Sequence, residues 1–168
     1  MTTPEQVFLQ QLETNMGIVH KIVLLYVDHP DDRRDLQQEI LYQAWKAFPG
    51  FQGRSKFSTW LYRISLNTVL TYRRRQNTTT ESLEHIREQP VAAPESTDNA
   101  ERLHQAIRQL PETERALVVL QLDGFSNEDI ADITGLTKNH VAVKLHRIKN
   151  ELIKRLNYGS STGMEPAE

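Results

Sequence analysis

Cysteine is absent from this 168-residue chain, so no disulfide staples it and no thiolate is available to a metal. That composition is compatible with a reducing cytoplasm. No apolar run approaches the ~20 residues needed to cross a bilayer. The opening stretch MTTPEQVFLQQ has no basic segment ahead of an apolar one, so no secretion signal is expected. The six histidines form no HExxH pattern, and His140 and His146 fall on different faces of one expected helix. There is no glycine-rich phosphate loop and no nucleophile paired with a base. The sequence therefore predicts no enzyme, no cofactor and no metal site. Net positive charge is also lacking: the formal net charge is −2, whereas most autonomous DNA-binding domains are basic. A subunit delivered to nucleic acid by a larger partner need not be.

One absence is local. No Asp or Glu occurs from residue 51 to residue 80, while Arg54, Lys56, Arg63, Arg73, Arg74 and Arg75 all fall there. In a chain of slightly negative charge, that segregation marks a surface. A helix read from about Ser58, at ~100° per residue, gathers Trp60, Arg63, Asn67, Thr71 and Arg74 into one stripe of ~80°. Leu61, Ile64, Thr68 and Tyr72 fall on a neighbouring stripe that can pack inward. Cations to hold phosphates, a ring to stack a base and an amide to read a base edge together suit a single nucleic-acid strand.

The remaining chain reads as helices. Over residues 5–27, Leu12, Met16, Val19, Val23 and Tyr26 recur at four and three, and Ile18, Ile22 and Leu25 widen the apolar face. After HPDD, where an Asp can cap, a second helix over 32–47 buries Leu36, Ile40 and Ala44 and turns Asp35, Gln38, Glu39 and Tyr42 to another face. Pro49-Gly50 and Gly53 make a short loop. Residues 77–97 shift to Thr, Glu, Pro, Ala and Ser and read as a linker. Asp98 and Glu101 stand at capping-box spacing ahead of Leu103, Ile107 and Leu110, and Pro111 opens a further helix stopped by Gly124. Ser126 with Asp129 caps a short helix, Thr134-Gly135-Leu136 turns the chain, and Thr137 caps a long last helix. There Val141, Leu145, Ile148, Leu152 and Leu156 form the buried stripe. Two helices joined by a tight Gly turn, the second rich in bases, match a helix-turn-helix. Lys138, Asn139, His140, Val143, Lys144 and Arg147 face outward near its start; such side chains pair with purine edges and phosphates in a major groove.

The run DLQQEILYQAW, FPGF, F-STWLYRI, then Asn67 and an Arg run resembles region 2 of the extracytoplasmic-function (ECF) sigma factors of the sigma-70 family. LPETER, GFSNEDIADITGL and HVAVKLHRIKNEL resemble region 4 of the same family. The resemblance implies an all-α chain: region 2 over 5–76, a flexible linker over 77–97, region 4 over 98–158 and a disordered tail from 159 to 168. It implies core RNA polymerase as partner, through its β′ clamp coiled coil and its β flap, with promoter DNA and an anti-sigma factor as further partners. Asp35, Gln38 and Glu39 occupy the family's DLxQE motif, whose face, shared by Tyr42, docks on the basic coiled coil. Phe51, Arg54, Ser55, Lys56 and Phe57 become candidates for a pocket around a base flipped from the −10 element, with Trp60, Arg63, Asn67 and Arg74 beside them. The six outward residues of the last helix become readers of the −35 element. Two departures are visible. Leu70 and Thr71 stand where the family often has an acidic residue, and Ala142 stands where it commonly has Lys. A free-standing helix-turn-helix regulator with a helical interaction domain also explains the second half, but leaves Asp35, Gln38, Glu39 and the Trp60 stripe without work.

Overall fold

Thr3 starts the first helix with a reciprocal cap: its Oγ1 accepts from the Gln6 amide at 3.3 Å, and its own amide donates to Gln6 Oε1 at 3.0 Å. This computed structural model describes residues 3–80 and 99–160. In chain order the elements are α1 (Pro4–Tyr26), α2 (Pro30–Ala47), a 3-10 turn (Phe48–Gly50), α3 (Phe57–Thr80), α4 (Asn99–Arg108), α5 (Glu112–Leu122), α6 (Asn127–Thr134) and α7 (Lys138–Ser160). No strand occurs among the described residues, so the expected all-α class holds. The chain divides into two compact units, Met1–His85 and Ile86–Glu168.

In the first unit α3 packs against both α1 and α2. Val19, Ile22 and Val23 of α1 and Leu36, Ile40 and Ala44 of α2 are buried, as their spacing predicts. Phe8 is buried as well, four residues before Leu12 on the same face. The inward face of α3 differs from the expected one. Phe57, Leu61, Tyr62, Ser65, Leu66 and Val69 are buried, while Ile64, Thr68 and Tyr72 are only half-buried. A helix packed on two sides buries a broader arc than a single amphipathic stripe, and here the arc is rotated away from Trp60 and Arg74. The cap of α2 also differs. His29 is its N-cap and no side chain caps it; Pro30, which has no N–H to satisfy, opens the helix, and Asp31 and Asp32 lie in its first turn. The turn before it is tied by Arg33 Nε, which donates to the Val27 carbonyl at 2.7 Å.

Helix α3 continues through Thr80, past residue 77 where a linker was expected. Nothing in Asn77–Thr80 breaks a helix, and Thr78 Oγ1 returns a hydrogen bond to the Arg74 carbonyl at 3.0 Å. The rest of the expected linker, with Asp98, lies outside the described residues.

In the second unit α7 packs on α4, α5 and α6. Val141, Leu145, Ile148 and Leu152 are buried on it, and Leu156 is half-buried. Pro111 serves as N-cap of α5 rather than its first residue. The capping box of α6 forms as predicted, Asp129 N–H donating to Ser126 Oγ at 3.1 Å. Gly135 ends α6 at φ 77°, a left-handed conformation that costs glycine no Cβ clash and turns the chain into α7. Thr137 Oγ1 accepts from the His140 amide at 3.2 Å and caps α7. α7 runs to Ser160, so residues 159 and 160 belong to it and not to a tail. The remainder of the expected tail lies outside the described residues.

Candidate nucleic-acid interface

Three surfaces carry the chemistry. On α2, Asp35, Gln38, Glu39 and Tyr42 are all exposed, opposite the buried line of Leu36, Ile40 and Ala44. Gln43 Nε2 donates to Glu39 Oε1 at 2.8 Å, which fixes one carboxylate oxygen. Trp45, 41% exposed, extends this face with a second aromatic ring.

The second surface is built around rings. The 3-10 turn holds Phe48 against Phe8 of α1, centroid to centroid 5.1 Å. Phe51 leans on Trp60 at 5.0 Å, tilted by 42°. Phe57 packs under both, 5.9 Å from Phe51 and 5.1 Å from Trp60. Beside the paired rings of Phe51 and Trp60 lies an open cavity of about 360 Å³, lined also by Gly50, Gln52, Arg54 and Ser55. That lies at the low end of the ~300–1,000 Å³ typical of small-ligand pockets. Gly53 bends the loop at φ 67°. Phe51 and Trp60 are half-buried, so each keeps part of a ring face open, while Arg54, Ser55 and Lys56 are exposed. Phe57, expected as a pocket contact, is buried instead and supports the wall from behind. Its position one turn ahead of Leu61 puts it on the core side of α3.

Arg63, Asn67, Thr71 and Arg74 continue from Trp60 along exposed α3. A groove of about 400 Å³ runs between α2 and α3, with Glu39, Gln43 and Ala47 on one side and Asn67, Thr68, Tyr72 and Arg75 on the other. Partial burial, and after it the Asp32 and Asp35 carboxylates, push the Tyr72 phenol above its ordinary pKa. The acidic face of α2 and the basic face of α3 are thus neighbours.

The third surface lies on α7. Lys138, Asn139, His140, Val143 and Arg147 are exposed and Lys144 is half-buried. Ala142 is exposed beside them and lines a groove of about 220 Å³ with Gln121, Asn127, His146 and Lys149.

The Sigma-70 region 2 model matches residues 12–79, and the Sigma-70 region 4 model matches residues 100–152. Together they span most of the chain. It is 32% identical over 156 residues to the RNA polymerase sigma-H factor of Pseudomonas aeruginosa, covering 82% of this chain and 81% of that protein. It is 32% identical over 139 residues to the ECF RNA polymerase sigma-E factor of Escherichia coli, covering 72% of each. The chain belongs to the ECF sigma factors of the sigma-70 family. Its fold is similar to that of the sigma factor RpoE solved in complex with the anti-sigma factor NepR from Bartonella quintana, with a TM-score of 0.78 at 23% identity over 90% of this chain and 98% of that one. It is also similar to CnrH in complex with the cytosolic domain of CnrY, with a TM-score of 0.66 at 21% identity, over 92% and 90% of the two chains.

The region 2 match of this sigma factor takes in every candidate from Asp35 to Arg74, and the region 4 match takes in those from Lys138 to Arg147. Sequence reading missed Phe8 and the role of Phe48. Spacing of Phe8 to Leu12 gave a signal for burial, but nothing local showed which rings would meet.

Proposed function

We propose that the three surfaces divide the work of promoter opening. Asp35, Gln38, Glu39 and Tyr42 dock on the β′ clamp coiled coil of core RNA polymerase. Acid and amide groups on one exposed helix face suit arginine-rich helices, through charge-assisted hydrogen bonds and fast encounter. The loop cavity takes a base extruded from the −10 element. Phe51 and Trp60 supply stacking walls, Ser55 and the loop backbone supply donors, and Arg54 and Lys56 neutralise phosphate. Arg63, Asn67 and Arg74 guide the strand along α3. Lys138, Asn139, His140, Val143, Lys144 and Arg147 enter the major groove of the −35 element while the second unit is held by the β flap.

The observation that carries this reading is the ring-walled cavity with no carboxylate on its lining, in a segment free of Asp and Glu. The polymerase performs the chemistry, and the sigma factor acts without catalysis or cofactor, in the cytoplasm where its polymerase works. A structural relative solved with an anti-sigma factor supports a partner of that kind, covering surfaces that polymerase would otherwise take.

Run-off transcription with purified core polymerase and fragments of the encoding genome tests the whole. Discrete transcripts that need both proteins are expected. DNA binding that is specific without polymerase, and no transcript with it, would favour a free-standing helix-turn-helix regulator.

A further inference from the structure

The walls of the loop cavity stand where ring packing puts them. Phe51 and Trp60 rest on Phe48, at 6.2 Å each, and Phe48 in turn rests on Phe8 at 5.1 Å. Phe8 also meets Trp45 at 5.1 Å and Phe57 at 6.3 Å. One buried ring of α1, 4% exposed, therefore touches the ring ahead of the loop, the ring behind it and the aromatic end of α2. The Thr3–Gln6 capping box fixes the first turn of α1 directly before it. Tilted and edge-on ring contacts are directional, so an aliphatic side chain of similar bulk fills the space without setting the angle.

From this geometry we propose that Phe8 is a positioning residue for base capture: it touches no nucleic acid, and through Phe48 and Phe57 it sets the spacing and tilt of Phe51 and Trp60. The proposal rests on the reading of the loop cavity as the base pocket. A base stacks only on a wall held at the right angle. Replacing Phe8 by a flexible aliphatic group thus weakens strand capture while leaving Asp35, Gln38, Glu39 and Tyr42 of the docking face and the −35 surface of α7 in place.

The test uses full-length protein assembled with core polymerase and two probes. One is the non-template single strand of a promoter recovered in the run-off experiment; the other is a duplex carrying only its −35 element. Phe8→Leu should lower affinity for the single strand about fivefold or more, near the lower end of what losing one base stack costs. Core affinity and −35 duplex binding should stay unchanged. Phe48→Leu, at a half-buried ring, should act in the same direction without disturbing the core. Leu12→Ala, which removes buried bulk from the same face of α1 but is no member of the ring cluster, controls for general loosening. In a Trp45→Phe background, acrylamide quenching of the remaining Trp60 should rise with Phe8→Leu. Equal strand losses in Phe8→Leu and Leu12→Ala would reduce Phe8 to ordinary core and overturn the proposal. So would unchanged strand affinity in Phe8→Leu alongside a loss in Phe51→Ala. If Phe51→Ala and Trp60→Ala both bind the strand normally, the base-pocket reading fails first and takes this inference with it.

Discussion

The guanidinium of Arg115 reaches back over the carbonyl end of α4 and donates to the Leu110 backbone oxygen at 3.1 Å. The same nitrogen also donates to the Arg108 carbonyl. Carbonyls at the C-terminus of a helix and just past it lack intrahelical donors, and those at the end carry partial negative charge, so one guanidinium nitrogen answers both needs. The link ties α4 to α5 across the Pro111 turn.

Arg115→Met should therefore destabilise the second unit by about 1.5–3 kcal/mol, the range for hydrogen bonds to a charged group. Arg115→Lys should recover only part, because its shorter stem and freely rotating ammonium do not fix two N–H bonds in one plane as the guanidinium nitrogen does. Hydrogen exchange of α4 and α5 amides reads both. Unchanged protection in the Met variant would show the link to be dispensable.

Ser65 is fully buried in α3, and its hydroxyl has no hydrogen-bond partner among the described residues. Removing an unsatisfied buried hydroxyl, with a better helix former in its place, should leave stability unchanged or raise it by up to ~1 kcal/mol. Leu61→Ala, four residues earlier in the same core, should cost ~2–5 kcal/mol. Both tryptophans, Trp45 and Trp60, lie in the first unit, so denaturation followed by their fluorescence reports that unit alone. A clear loss of stability in Ser65→Ala would mean that the hydroxyl is satisfied in solution.

Charge reversal of Asp35 and Glu39 to Lys should abolish core polymerase binding while helical content stays constant, since both side chains are exposed. Pull-down with core polymerase beside far-ultraviolet circular dichroism measures the two effects. Wild-type affinity in the double variant would place docking elsewhere.

For α7, Lys144→Ala and Arg147→Ala should each flatten the slope of log affinity against log salt by ~0.9 if each holds one phosphate. Asn139→Ala should instead cost ~1–3 kcal/mol at one position of the −35 element and leave the slope nearly unchanged. A salt titration on −35 duplex separates the two kinds of contact. Unchanged affinity and slope in both cation variants would move the DNA surface off this part of α7.

What the sequence by itself determined was local. Helical periodicity exposes Asp35, Gln38 and Glu39 opposite Leu36 and Ile40, and the Ser126–Asp129 and Thr137 caps form between residues three apart. Interactions of such short range depend little on the rest of the chain. The family motifs were equally legible, because they occupy contiguous stretches. Tertiary structure alone decided what depends on how helices cross. Phe8 meets Phe48 across forty positions of sequence. Phe57 turns inward beneath the loop instead of lining its cavity, and Ile64, Thr68 and Tyr72 yield the core of α3 to Tyr62, Ser65, Leu66 and Val69. A single helix specifies that it has an apolar side, but the arc it buries is set by the angles at which α1 and α2 pack on it, and those angles come from side chains far away in the chain.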